Sequence, residues 1–117
     1  MDLDNNQLDE IPKGITEIKN LEHLTANDNK IQNISDEIKS LKKIRGLYLD
    51  NNQIQHISTE IIALQNLENL YLKNNQIQTL PKEIGKLQKL EALDLEENPI
   101  QNQEEIKKLL PNCTIYF

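Results

Sequence analysis

The side chains best suited to chemistry in this chain are few: two histidines (His23 and His56), one cysteine (Cys113) and three tyrosines (Tyr48, Tyr71 and Tyr116). Nucleophilic catalysis needs a serine or cysteine beside a histidine that an acid orients. His23 and His56 fall at different places of a 23-residue repeat, one on a strand and one in a turn, so one molecule cannot bring them to a shared site. Zinc asks for three or four ligands at short spacing, and the chain has neither a Cys-x-x-Cys nor a His-Glu-x-x-His. His23 with Asp2 or Asp4 on the next strand offers at most an adventitious metal. Asp94 and Glu96 pair two carboxylates, but an open sheet face neither excludes water nor raises a pKa enough for acid catalysis. Three scattered glycines make no phosphate loop. The expectation is a non-enzyme with no catalytic residue, no metal and no cofactor.

The tyrosines lead further, because Tyr48 and Tyr71 are 23 residues apart and that interval runs through the chain. Leu21, Ile44, Leu67 and Leu90 keep it, as do Leu24, Leu47, Leu70 and Leu93. Written as 23 places, the unit is Leu-x-x-Leu-x-Leu-x-x-Asn-x-Ile-x-x-Ile-(Pro/Ser)-x-Glu-Ile-x-x-Leu-x-x. Full copies cover 21–43, 44–66 and 67–89, and residues 1–20 fill places 4 to 23 of a partial copy. The last copy, 90–117, returns to register only after losing one residue before Ile106, which sends Ile106, Leu109, Ile115 and Phe117 to core places and leaves Tyr116 outside.

Each place has a physical reason. Leucines at places 4 and 6 have strand period and face inward, while places 3, 5 and 7 face out. The asparagine at place 9 (Asn6, Asn29, Asn52, Asn75 and Asn98) ends the strand by bonding turn backbone, and the five are expected to stack as a buried ladder. Ser35-Asp-Glu-Ile, Ser58-Thr-Glu-Ile and Pro81-Lys-Glu-Ile read as helix starts, with a cap or first-turn proline and then an acid, so one helical turn follows in each coil. A lone coil cannot hide these side chains. Stacking is required, which gives an α/β leucine-rich solenoid with a parallel β-sheet on one face and short helices or 3-10 turns on the other. Residues 103–110 with Pro111-Asn112 and the strand 114–117 read as a terminal cap, and 1–117 reads as one domain. At the other end Met1 and Leu3 sit on an open sheet edge. Earlier repeats or a second copy pairing through residues 1–20 would cover it, with Asp2 and Asp4 discouraging indiscriminate pairing.

Nineteen acidic against thirteen basic residues give a net charge of -6, which disfavours nucleic acid and anionic membranes and favours a basic protein or a divalent cation. A single cysteine forms no internal disulfide, and no apolar run reaches the roughly 20 residues of a membrane helix. The start of the chain lacks the basic and apolar regions of a signal peptide, which leaves export open.

The sequences Leu-Pro-Lys-Glu-Ile-Gly-Lys-Leu at 80–87, Leu-Asp-Leu-Glu-Glu-Asn-Pro-Ile at 93–100 and Leu-Leu-Pro-Asn-Cys-Thr-Ile-Tyr-Phe at 109–117 resemble the short 23-residue leucine-rich-repeat proteins of pathogenic leptospires. The resemblance covers the whole chain and implies a protein-binding solenoid, often exported or surface-associated, with a role in host contact. It carries over no ligand. The chain departs from the family pattern in lacking an N-terminal leader and cap, in Ala26 at place 6 and in Gly14 at place 17.

Most apolar residues are explained by the template, and the remainder marks the candidate site. That remainder is Tyr48, Ile62, Ala63, Tyr71, Ala92, Leu110, Cys113 and Tyr116. The tyrosines share place 5, the outward centre of the strand, whose column reads Asp2, Thr25, Tyr48, Tyr71, Asp94, Tyr116. Place 3 adds His23, Gly46, Asn69 and Ala92, with a notch expected at Gly46, and place 7 adds Asp4, Asn27, Asp50, Lys73 and Glu96. The partner-binding residues so chosen are His23, Thr25, Asn27, Tyr48, Asp50, Asn69, Tyr71, Lys73, Asp94, Glu96 and Tyr116. They form a tyrosine patch in an acidic field, suited to a protein ligand with basic and apolar or aromatic groups. Six strands would project a face of about 24 by 15 Å. That is short of the roughly 800 Å² per partner of a standard interface, so weak binding or help from loops is expected.

Overall fold

The computed structural model describes residues 1–117. Strands β1 (His23–Thr25), β3 (Gly46–Tyr48), β5 (Asn69–Tyr71), β6 (Ala92–Asp94) and β7 (Thr114–Tyr116) form one parallel sheet in that order. The pairs Leu24↔Leu47, Leu47↔Leu70 and Leu70↔Leu93 keep the 23-residue step, and Leu93↔Ile115 takes the shortened one. The expected sixth strand is reduced to a single bridge, Asp2↔Thr25.

Each coil crosses the opposite side as a five-residue 3-10 helix: Lys13–Glu17, Asp36–Ser40, Thr59–Ala63 and Lys82–Lys86. The bonds run from residue i+3 back to i, as in Leu41 N–H to the Ile38 carbonyl, a tighter winding that suits the few residues available between strands. Only Ser58 caps as expected, its hydroxyl accepting from Glu60 N–H. Ser35 makes no side-chain cap bond, and Pro81 stands at the cap position in extended conformation rather than inside the first turn. One true α-helix, α1 (Gln103–Leu109), closes the last coil. A second, two-stranded parallel sheet pairs β2 (Asn33–Ile34) with β4 (His56–Ile57) at the coil's far corner, so His56 lies on a strand and not in a plain turn. No helix is long and apolar enough to cross a membrane.

The core is one continuous cluster in which Leu24, Leu47, Leu70 and Leu93 stack beneath the sheet, and Ile38, Ile61 and Ile84 stack beneath the 3-10 turns. Its ends depart from the template. Ile18 at place 21 of the first coil is 39% exposed and Met1 47%, while Leu110, read as surplus, is buried and Leu109 only half-buried. The terminal helix therefore turns one residue further inward than the 23-place register implies.

The asparagine ladder forms in the middle of the stack and frays outward. Asn29, Asn52 and Asn75 are buried, Asn98 is half-buried and Asn6 is exposed. Asn52 is representative. Its Nδ2 donates to the carbonyls of Leu49 and Asp50 in its own coil and of Ala26 in the coil before, and its Oδ1 accepts from Ile31 N–H of that earlier coil. Every buried asparagine thus staples two coils. The residue just before it, at place 8, takes a left-handed φ in all five coils (Asn5, Asp28, Asn51, Asn74 and Glu97), the region where asparagine and aspartate cost least.

Candidate functional site

The outward side of the five-stranded sheet carries the residues singled out above. Register places Thr25, Tyr48, Tyr71, Asp94 and Tyr116 in one column, and Thr25 Oγ1 donates to Asp2 Oδ1 at 3.1 Å. Tyr48 and Tyr71 stack with ring centroids 5.1 Å apart and planes 29° apart, an offset arrangement favourable to two quadrupoles. Both rings are half-buried, whereas Tyr116 on the edge strand is 47% exposed.

At place 3, His23, Gly46, Asn69 and Ala92 align across the strands, with Thr114 completing the row. No notch opens at Gly46. A Cβ there would meet His23 Nδ1 at 2.6 Å and the Tyr48 ring and hydroxyl at 2.8 Å, so these two side chains lie over the glycine and fill the space. Gly46 is what lets Tyr48 lean back across its own strand.

Place 7 serves the fold as well as the surface. Asp4 Oδ1 accepts from Asn27 N–H, Asn27 Oδ1 from Asp50 N–H, and Asp50 Oδ1 from Lys73 N–H, each at 2.7–2.8 Å. One side-chain oxygen in each coil therefore pins the strand end of the next. Lys73 has no acceptor to offer, so the series stops there and Glu96 N–H turns to Asp94 Oδ1 at 3.0 Å. Asn27 and Asp50, chosen as partner-binding residues, are thus partly committed to backbone, while Lys73 and Glu96 are not. Asp94 belongs to both groups.

The field over this face is negative. Burial pushes the Asp50 carboxyl above its ordinary range. The Lys73 N–H and the Lys73 charge work against that shift, and the Asp94 and Asp28 charges work with it. Burial likewise raises the Tyr71 phenol, reinforced by Tyr48, Tyr116, Asp94 and Asp50.

Two features escaped the sequence reading. At place 2, Arg45 lies between Glu68 (Nε to Oε2, 2.8 Å) and Glu22 (Nη1 to Oε1, 3.5 Å) along the sheet's entry edge. The bonds to Glu68 hold the guanidinium up and the Glu68 carboxyl down, but solvent screens so exposed a set. The signal was present as the alternation Glu22, Arg45, Glu68 at one place. Between the last 3-10 turn and α1, Gly85, Leu87, Leu90, Leu109, Leu110 and Cys113 line a shallow groove of about 370 Å³. Burial pushes the Cys113 thiol up to about 11, which leaves it an unreactive thiol at neutral pH.

His23 on β1 and His56 on β4 lie in different sheets. The arrangement as a whole is that of a short repeat solenoid presenting one flat, solvent-facing sheet. The leucine-rich-repeat pattern matches residues 1–54 and 42–100, and the chain belongs to the leucine-rich-repeat family. It is similar to a leucine-rich-repeat protein of Leptospira interrogans, with 42% identity and a TM-score of 0.92 over 95% of this chain, which bears out the resemblance read from its residues. This chain spans 29% of that structure's length. A chain in the SNF/U2A' complex of Drosophila melanogaster matches with a TM-score of 0.80 at 23% identity, covering 96% of this chain and 68% of its own, a likeness of fold. No curated protein matches the chain.

Proposed function

We propose that this chain is a protein-binding module that engages its partner through the outward face of the five-stranded sheet, with the Tyr48–Tyr71 pair as anchor. The observation that carries this reading is the stack itself: two half-buried aromatic rings, 5.1 Å apart, at the centre of the outward sheet face. Tyrosine offers wide contact area at low rotamer cost and a polar tip, which is why it concentrates at interface centres. The family fold supports a protein ligand in general, and the SNF/U2A' complex is an instance of it within an assembly. The acidic column around the rings favours basic groups at the partner's rim. The resemblance to leptospiral proteins extends the reading to an exported or host-contact setting.

Five strands of three residues project only about 19 by 10 Å. A partner held by this face alone binds weakly, and a tight one also grips the turns around place 8. The test compares wild type with the Tyr48→Ala/Tyr71→Ala double variant as bait. Partners retained by the wild type should be lost by the variant, while its thermal melt moves little because the rings face outward. Equal retention by both baits would remove the sheet face from the interface.

A second reading, self-association through residues 1–20, is favoured by the exposed Met1 and Ile18 at that end. Light scattering over a concentration range, wild type against Ile18→Asp, distinguishes it: a dimer that the substitution dissolves supports assembly, and a monomer throughout rejects it.

A further inference from the structure

The tyrosine column is not uniform, and its irregularity names a ligand group. The register sets Asp94 between Tyr71 on one strand and Tyr116 on the other, a short carboxylate flanked by two long phenols. One face of Tyr71 is taken by the stack with Tyr48. On the Asp94 side the next ring in the column is Tyr116, about 10 Å away at the backbone, or two strand spacings. We infer that Tyr71, Asp94 and Tyr116 form a slot for an arginine side chain of the partner, the Asp94 carboxylate taking the guanidinium and the two rings flanking it. This assignment rests on the reading of the sheet face as the binding surface.

Three observations select that group. The first is that Asp94 is half-buried and half-used: Oδ1 accepts the Glu96 N–H, and no bond within the chain involves Oδ2. Its charge is also uncompensated. The chain's ion pairs are Arg45 with Glu22 and Glu68, and Lys107 with Glu104, none of which reaches this column; Lys89 is bonded to Asn66, and Lys107 lies over Phe117. Lys73, the one cation on this face, donates its backbone N–H to Asp50 and has no ion pair with Asp94. The third observation is the negative field, since Asp50 and Asp94 act on Tyr71 together.

A partner that covers this column must deal with that carboxylate. An apolar group laid over it leaves a buried charge without a partner, a heavy penalty. A metal ion lacks ligands, because no three acidic, histidine or cysteine side chains converge here. A guanidinium satisfies the free oxygen through its fork of N–H donors, and its flat face suits a phenol ring within the roughly 6 Å reach of a cation–π contact. The Tyr48 side of the column, lying over Gly46, is left for an apolar contact.

The probe is the peptide acetyl-Gly-Arg-Gly-amide, titrated into the full chain labelled with nitrogen-15, with the citrulline peptide as its neutral isostere. The arginine peptide should shift the amides of Tyr71, Asp94 and Tyr116 in a saturable, millimolar titration, and the citrulline peptide should bind at least tenfold more weakly. Asp94→Asn keeps an acceptor for Glu96 N–H, so it should retain the fold while losing about tenfold in affinity for the arginine peptide. Equal binding of the two peptides, an unchanged affinity in Asp94→Asn, or shifts confined to other acidic positions would each overturn the slot. Failure here is separable from failure of the wider reading. Partners lost by the Tyr48→Ala/Tyr71→Ala variant but kept by Asp94→Asn would leave the sheet face as interface with no arginine in the slot.

Discussion

Asn52 and Asn6 occupy the same place of the repeat and look equivalent in the sequence, yet the structure gives them different duties. Asn52 is buried and holds four bonds across two coils, whereas Asn6 is exposed and its Nδ2 reaches only the Asp4 carbonyl. Replacing Asn52 by alanine strips the buried Ile31 N–H of its acceptor and removes the Nδ2 amide that the Ala26, Leu49 and Asp50 carbonyls share, so unfolding in urea should show a loss of about 2–4 kcal/mol. Asn6→Ala should cost less than about 0.5 kcal/mol, as surface changes do. Equal losses in the two variants would mean that the ladder acts locally in each turn and not between coils. The identity of these residues was legible from spacing alone, but their burial was not, because burial depends on having a coil on both sides. Gly46 shows the same limit: its spacing revealed a missing side chain, and only the packing showed that His23 and Tyr48 cover it.

Among the elements, the turn after each strand is the most demanding, since place 8 takes a left-handed φ in every coil. Four coils meet the demand with Asn or Asp, and the fifth uses Glu97 at φ 58°. Glutamate lacks the short amide that eases this conformation. Glu97→Asn should therefore stabilise the chain by roughly 0.5–1 kcal/mol and raise the thermal midpoint by a few degrees. It would also present Asn74 with the partner that Asn74 presents to Asn51, since Asn74 Nδ2 donates to Asn51 Oδ1 and Asn51 Nδ2 to Asp28 Oδ1. A midpoint that stays put or falls would show that the last turn has relaxed its strain elsewhere. The sequence made the strand positions plain through their inward leucines. It was less clear about the far side, where 3-10 winding and the small β2–β4 sheet arise from the tight closure of each coil and leave no periodic signature of their own.

On the scale of the molecule, stability in such a stack is a sum over coils and the interfaces between neighbours. The interior coils have two interfaces and fully buried leucines, while residues 1–20 have one interface, an exposed Asn6 and an exposed Ile18. Hydrogen exchange should follow that gradient, with the amides of Leu47–Leu49 and Leu70–Leu72 protected longest and those of residues 1–20 exchanging first. Uniform protection would indicate that the chain opens as one unit. The fold as a whole was readable from 23-residue spacing because stacking repeats the same burial coil after coil. The candidate site was readable only as a remainder, the apolar residues that packing leaves unexplained, and even then the double duty of Asn27 and Asp50 was hidden. The interruption at Lys73 changes what this surface is free to become. Upstream of it, a place 7 side chain without a short acceptor oxygen forfeits a strand tether, as the bonds from Asn27, Asp50 and Lys73 N–H show. From Lys73 onward that restraint is lifted, and diversification toward new targets has its widest latitude at the C-terminal end of the sheet, beside the tyrosines.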